Sequence, residues 1–413
     1  MARSRGRLAI LVSMLRGGVQ NRLAERQVRR ELERRGAPAP GTLSIAVHFP
    51  DTTTNLYQLR EWYAPLAELA AKLPVVVIAR SATTARTLLR ECPVPVILAR
   101  SIGDVEVLLR SHPIRVVLYV NQNARNFSVM RYREPAHVFI CHGESDKDYM
   151  ASNQLKAYDT TLIAGPAAAA RLTRIVDFDV ERRTLQIGRP QIDVVHAAPP
   201  LPDDGRVVVL YAPTWEGDRP SMCYSSVVSH GHDMVAALLA DDRYRVVVRP
   251  HPRTGGTDLD TRSALRRIRR LIRSANRADP AAGHLWDTAS GFGWQLAACD
   301  VCITDISAVA YDWLATGKPL LVTQPSSPEA IVDRSGLIGA LDLIRADEAS
   351  EVALRTAALI AEGGGSGLAA TAAHYFGDLT PGASMRRFTD AVATIVERRA
   401  EALAGRADPA QVG

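Results

Sequence analysis

Four short stretches of the chain hold reactive side chains at the ends of apolar runs. In RPHPR, residues 249–253, His251 sits between Pro250 and Pro252. Pro252 forces the residue before it into an extended conformation, and Pro250 removes a backbone donor. Neither strand nor helix continues there, so the imidazole is aimed rather than packed. Arg249 and Arg253 flank it, and such a cluster of cations suits a phosphate. In FICHGESDK, residues 139–147, His142 and Gly143 follow an apolar run. The glycine permits a tight turn beside a substrate, and a histidine titrates near neutrality, as a general base must. In LYAPTWEGD, residues 210–218, Thr214 stands on a proline corner where its hydroxyl can meet a phosphate or a ribose. In CITDISAVAYDW, residues 302–313, Thr304, Asp305 and Ser307 stand where a strand turns into a helix. The free N–H groups of a helix start, with two hydroxyls beside them, make an anion site.

Taken singly, each stretch has a plainer structural reading: a buried histidine, a strand-end turn, an ordinary N-cap. Other candidates are weaker still. Lys147 is one of four lysines in a chain whose basic residues are otherwise arginine, so it draws notice within the stretch. Asp312 either orients a partner or is a helix-surface charge. Asp177-Phe178-Asp179 reads as a solvated loop, and His230 and His232 as loop histidines with no third ligand. Cys299 and Cys302 form a CxxC with no second pair nearby, so no zinc site and no metal is expected. Five cysteines without a disulfide pattern suit a reducing cytoplasm.

The elements that must carry these residues alternate along the chain. Apolar runs at Leu43–Phe49, Val75–Ala79, Val94–Leu98, Val116–Val120, Val138–Cys141 and Thr161–Ala164 are separated by helical patterns. Buried parallel strands covered by helices have this appearance. His196–Arg206, rich in proline, glycine and acid, reads as a linker. The rhythm then repeats with strands at Val207–Ala212, Arg245–Arg249, Val301–Thr304 and Leu320–Val322. The expected fold is α/β, with two Rossmann-like domains facing a cleft and a C-terminal helix. The division is a basic arm over 1–35, a first domain over 36–198, a second over 199–378, and a helix and tail over 379–413. The four stretches all fall at the cleft, where ligands of such folds bind.

Charge is uneven. Residues 1–35 hold ten arginines and three glutamates, while the whole chain is only +6. The folded body is therefore near neutral. The arm suits an anionic membrane surface or a solvated tail. Nucleic acid is not expected, because no aromatic residues interleave with the charge. Leu8–Leu15 is too short to span a bilayer. A second basic segment, Ser263–Arg277, reads as an amphipathic helix with either a solvated face or a polyanion or membrane contact.

In this order, His142-Gly143, YAPTW, RPHP and TDxS followed by YDWLATGKP resemble the CDP-glycerol:poly(glycerophosphate) glycerophosphotransferase family. The resemblance runs from about Leu118 to the final helix and includes GRPQID and GDLTPGASMRRF. Ile306 stands where a tyrosine is common in the family, and ESDK where a TPLK-like run is usual. The resemblance implies a GT-B fold, an acceptor-binding first domain and a CDP-alditol-binding second domain. It implies that His142 and His251 are the family's two important histidines, with His142 the base. Thr214, Arg249, Arg253, Thr304, Asp305 and Ser307 then lie by the donor, and Gly143 and Lys147 by the acceptor. The implied reaction moves glycerol phosphate, or a related alditol phosphate, from a CDP-alditol to a hydroxyl of a lipid-linked polyol-phosphate acceptor. No further cofactor is required, and the implied place is the cytoplasmic face of the membrane. The rivals are a GT-B glycosyltransferase or epimerase using a nucleotide sugar, and a non-catalytic scaffold.

Overall fold

The computed structural model of the protein describes residues 23–197, 201–289 and 291–407. Two wholly parallel sheets carry the chain. The first contains β1 (Ile45–Phe49), β2 (Val75–Ala79), β3 (Val96–Leu98), β4 (Val116–Tyr119), β5 (Ala136–Phe139), β6 (Thr160–Ile163) and β7 (Thr184–Gln186), in the order 3-2-1-4-5-6-7. The second contains β8 (Val207–Ala212), β9 (Tyr244–Val248), β10 (Leu285–Trp286), β11 (Val301–Thr304) and β12 (Leu320–Val322), in the order 10-9-8-11-12. Each sheet starts from a central strand, winds outward one way and then reverses, as in doubly wound nucleotide-binding folds. Strands β1, β2 and β9 are buried along their whole length, which explains the run of Val and Ile in β2 and the three valines that end β9. Strand β10 was not expected: a two-residue edge strand leaves no periodic trace in the sequence.

The order of the second sheet matters for the site. Strands β8 and β11 are neighbours on either side of its reversal, and crevices at such reversals receive ligands. Thr214 follows β8 and Ser307 follows β11, so two motifs far apart in sequence meet there.

The C-terminal helix, Ala383–Ala407, returns to the first sheet. Its Phe388 and Val392 are fully buried in the core that holds Ile45, Val47 and Leu118, and Phe388 packs on Trp62 with ring centroids 5.1 Å apart. The Asp193 carboxylate accepts from the Gly382 and Met385 amides at 3.0 and 2.8 Å. It thereby satisfies donors that a helix start leaves open. Gly188 faces the same helix at φ 74°, and a Cβ there would lie 2.1 Å from Ser384 Oγ. Gly188→Ala is therefore expected to cost about 2 kcal/mol, combining backbone strain with overpacking. Urea denaturation measures this, and limited proteolysis should show the final helix released first. An unchanged midpoint would mean that the helix is not held at this point.

Part of the basic arm belongs to the folded body. Residues 23–35 form a helix in which Ala24 and Val28 are buried and Leu32 packs on the first core. These positions recur every fourth residue and make an apolar stripe within the arginine run. Residues 1–22 of the arm, with the apolar Leu8–Leu15, lie outside the described residues. Among the described residues no helix is long and apolar enough to cross a membrane.

Candidate functional site

A cleft of about 160 Å³ lies between the carboxyl ends of the two sheets. His142 enters it from the turn after β5. Cys141 holds a left-handed φ of 52°, and its carbonyl accepts from Trp62 Nε1. That turn reverses the chain so that His142 faces the second sheet. Gly143 lies against the start of the helix Ala308–Leu314: a Cβ at Gly143 would sit 3.0 Å from the Ala308 Cβ. The Val120 carbonyl beside the His142 ring favours its protonated form, and Nδ1 is buried without a partner, open to a substrate. Burial, with the Arg189 cation nearby, pushes the His142 pKa down to about 4, so the ring is neutral near pH 7.

The ESDK run that follows explains its own composition. Glu144 and Asp146 are both paired with Arg171, Asp146 at 2.9 Å. Asp146 also accepts from Tyr375 and, at 3.1 Å, from Tyr311, both in the second half of the chain. Glu144 thus fastens the loop to the first half and Asp146 ties it across to the second, and Lys147 emerges into the cleft with its ammonium 5.0 Å from the Tyr224 ring centroid. Burial pushes Lys147 down to about 8, opposed by the Asp305 charge.

The second sheet contributes the opposite wall. Thr214 and Ser307 line the cleft, and Ser307 occupies the N-cap of Ala308–Leu314 without capping it. Its hydroxyl is left to a neighbour, Thr304 Oγ1 at 3.3 Å, or to a ligand. His251 follows β9, and its amide donates to the Pro213 carbonyl at 3.0 Å. Its Nδ1 accepts from the Arg253 amide at 3.2 Å. The neutral ring must then carry its proton on Nε2, as a donor. Burial and the Lys147 cation push His251 down to about 3. The two histidines stand on the same tyrosine: the Tyr57 ring lies edge-on to His142 at 5.9 Å and to His251 at 4.9 Å.

The cleft floor is ionic. Arg189, from GRPQID, makes a two-pronged pair with Asp312 at 2.8 and 3.1 Å. Glu61 stands 3.9 Å from the same guanidinium. Burial pushes Glu61 up to about 7 despite that cation.

Of the ten residues singled out from sequence, His142, Gly143, Lys147, Thr214, Arg249, His251 and Ser307 line this one cleft. Thr304, Asp305 and Arg253 do not. Thr304 donates to the Ala212 carbonyl at 2.7 Å and ties β11 to β8. Asp305 is fully buried and accepts from the Thr214 amide at 2.7 Å, the Ser226 amide at 3.2 Å and Thr323 Oγ1 at 2.7 Å. It shapes the loop that presents Thr214. Arg253 stacks on Trp215, 3.6 Å from the ring centroid. Arg249 lines the cleft, yet it is paired with Asp287 at 2.6 Å and with the Gly291 carbonyl at 2.7 Å.

Sequence reasoning missed Tyr57, Glu61 and Arg189. Tyr57 and Glu61 are four apart, hence on one helix face, but nothing in the sequence marks that face as facing a cleft. Asp312 points inward to Arg189 and is not a surface charge. Asp179 caps a short helix through the Arg182 amide at 3.0 Å, consistent with a loop DxD. His230 is buried against the Ile344 carbonyl. Cys299 and Cys302 are buried free thiols.

Two Rossmann-like sheets facing a cleft, with a helix start on one wall and a histidine on each, define a nucleotide-dependent transferase of the GT-B class. Residues 94–329 match the family described as CDP-Glycerol:Poly(glycerophosphate) glycerophosphotransferase, and the chain belongs to that family. It is a CDP-glycerol glycerophosphotransferase-like transferase. No curated protein matches the chain. Among solved structures, the wall teichoic acid polymerase TagF soaked with CDPG is 14% identical with a TM-score of 0.56, covering 94% of this chain and 98% of that one. A Listeria monocytogenes protein assigned as a UDP-N-acetylglucosamine 2-epimerase has a TM-score of 0.56 at 14% identity, covering 87% of this chain and 98% of that one. Likeness at these identities speaks for the GT-B fold alone.

Proposed function

We propose that the cleft transfers glycerol phosphate from CDP-glycerol to a hydroxyl of a polyol-phosphate acceptor held by a lipid, with release of CMP. The observation that carries this reading is the pair of histidines on one tyrosine: a buried nitrogen without a partner on His142, and a donor nitrogen on His251. A transfer needs a group to take the proton and a donor for the phosphate charge. The acceptor oxygen attacks the β-phosphorus, the bond from that phosphorus to the CMP oxygen breaks, and His142 Nδ1 takes the hydroxyl proton. His251 Nε2–H, the Thr214 and Ser307 hydroxyls and the start of the helix Ala308–Leu314 receive the donor phosphates. Arg253, stacked on Trp215, adds positive charge beside the cleft, Arg249 lines it while paired with Asp287, and Thr304 and Asp305 act by holding the loops. Gly143 and Lys147 face the acceptor. Phosphoryl transfer rests mainly on such positioning and electrostatics. The residues that would meet a membrane are those of the basic arm, and the family's reaction on a lipid-borne acceptor supports a peripheral place at the cytoplasmic face.

The test is CMP release from CDP-glycerol, with and without a lipid-linked glycerophosphate acceptor, for wild type and His251→Ala. Acceptor-dependent release, lowered about 10²–10³-fold in the variant as for loss of one charge-stabilising donor, is the expected result. No release from CDP-glycerol or CDP-ribitol would end this reading. Turnover of a UDP-sugar instead would put the nucleotide-sugar chemistry in its place.

A further inference from the structure

The helix Leu259–Ala278 follows the His251 loop. Its Ala264, Ile268 and Ile272 are buried in the second core. On the opposite side stand Arg262, Arg266, Arg269, Arg270, Arg273 and Arg277, all exposed. At 3.6 residues per turn these six fall within an arc of about 100° and run for about 22 Å along the axis. Among the described residues, none of the six pairs with a carboxylate; Arg269 instead lies over the Trp286 ring at 5.7 Å. Stripes of charge on surface helices are ordinarily interleaved with the opposite sign. This one is not.

The stripe also has a fixed relation to the cleft. Arg262, its first member, donates to the carbonyls of Gly255 and Gly256 at 2.9 and 3.2 Å. Those glycines belong to the turn after His251-Pro252-Arg253. Glu216, just beyond Thr214 and Trp215, fastens the same turn by accepting from the Gly255 amide at 2.9 Å and Thr257 Oγ1 at 3.0 Å. The arginines therefore begin beside the turn that carries His251 and lead away from it.

We infer that this arginine stripe is a track for a linear polyanion, the phosphate-bearing chain of the acceptor or product, outside the catalytic cleft. The inference deepens the proposed transfer and rests on it. Steps of three or four residues bring successive arginine Cβ atoms about 5–6 Å apart, a spacing from which the side chains can meet several phosphates along a regular chain. A membrane surface fits less well. Helices that lie in a bilayer interface bury an apolar face, and the apolar face of this helix is already in the core. What it offers is a line of charge one helix wide.

The test uses the full chain, a lipid-free poly(glycerol phosphate) long enough to span the helix, and the variant Arg266→Gln/Arg270→Gln/Arg273→Gln. All three residues are exposed and lie outside the cleft, and a thermal melt checks that the variant folds as wild type does. Binding of the polymer at low salt is expected to weaken by roughly 10- to 100-fold, and wild-type affinity should fall steeply as salt rises. Turnover of CDP-glycerol onto a single-unit acceptor should be unchanged. Polymer binding equal to wild type would overturn the inference. So would a loss confined to anionic phosphatidylglycerol vesicles, which would make the stripe a membrane contact. If wild type binds the polymer through these arginines but turns over no CDP-alditol, the proposed transfer fails and the polyanion site does not.

Discussion

His142→Ala is expected to lower acceptor-dependent CMP release by about 10²–10⁴-fold, the range that a positioned general base supplies, with the fold intact. The expectation rests on one ring nitrogen: Nδ1 is buried without a partner. A buried polar atom without a partner is costly, and an incoming hydroxyl removes that cost as it binds. The left-handed Cys141 and the close approach of Gly143 to Ala308 hold the ring in place before substrate arrives. Release within tenfold of wild type would exclude His142 as the base.

The pH profile gives a second readout of the same arrangement. His142 works as a neutral ring, and burial holds its pKa near 4. In the free enzyme, kcat/KM should therefore stay level down to about pH 5 and fall only as pH drops through about 4. An ordinary histidine base would lose activity near 6.5. At the alkaline end Lys147, held near 8, loses its charge as pH rises through that value, and its hold on an anionic substrate weakens. Lys147→Met should lower activity throughout and remove this alkaline limb. An unaltered limb in the variant would assign it to another group.

The two-sheet architecture was legible because parallel strands buried on both faces leave unbroken apolar runs. Nearly every central strand lies within two residues of its expected place. Most of the site was legible because its residues sit just past those runs, where such folds collect ligands. What could not be read was how distant segments meet. Nothing local says that the final helix returns to the first sheet, since its apolar face would suit either half. Nothing marks Tyr57 or Glu61, whose helix looks like any other covering helix. Thr304 and Asp305 were read as part of an anion site because they precede a helix. The structure spends both on strand and loop bonds, which depend on what β8 and the Ser226 and Thr323 loops present to them. Motif spacing gives the address of a side chain but not the partner that claims it.

The second large effect is on stability. Asp312→Ala is expected to cost about 3–5 kcal/mol, because it leaves the buried Arg189 guanidinium without its two-pronged partner. Arg189 comes from the segment after β7 and Asp312 from the helix after β11, so the pair ties the two halves at the cleft floor. Glu61 offers only partial relief. It stands 3.9 Å away and is held near pKa 7 by burial, with Asp312 adding to the rise. Without Asp312, Glu61 should ionise below its wild-type value of about 7, so the loss should shrink as pH rises towards 7 and level off above it. Urea denaturation at pH 6 and pH 8 measures both effects. Arg189→Met/Asp312→Leu should regain most of the stability, since an apolar pair of similar volume avoids the desolvation of two charges. It should not regain transfer activity if the ionic floor orients the substrate. A loss below about 1 kcal/mol in Asp312→Ala would mean that water or Glu61 already carries the Arg189 charge, and that the halves are joined elsewhere, chiefly through Asp146 and the returning C-terminal helix.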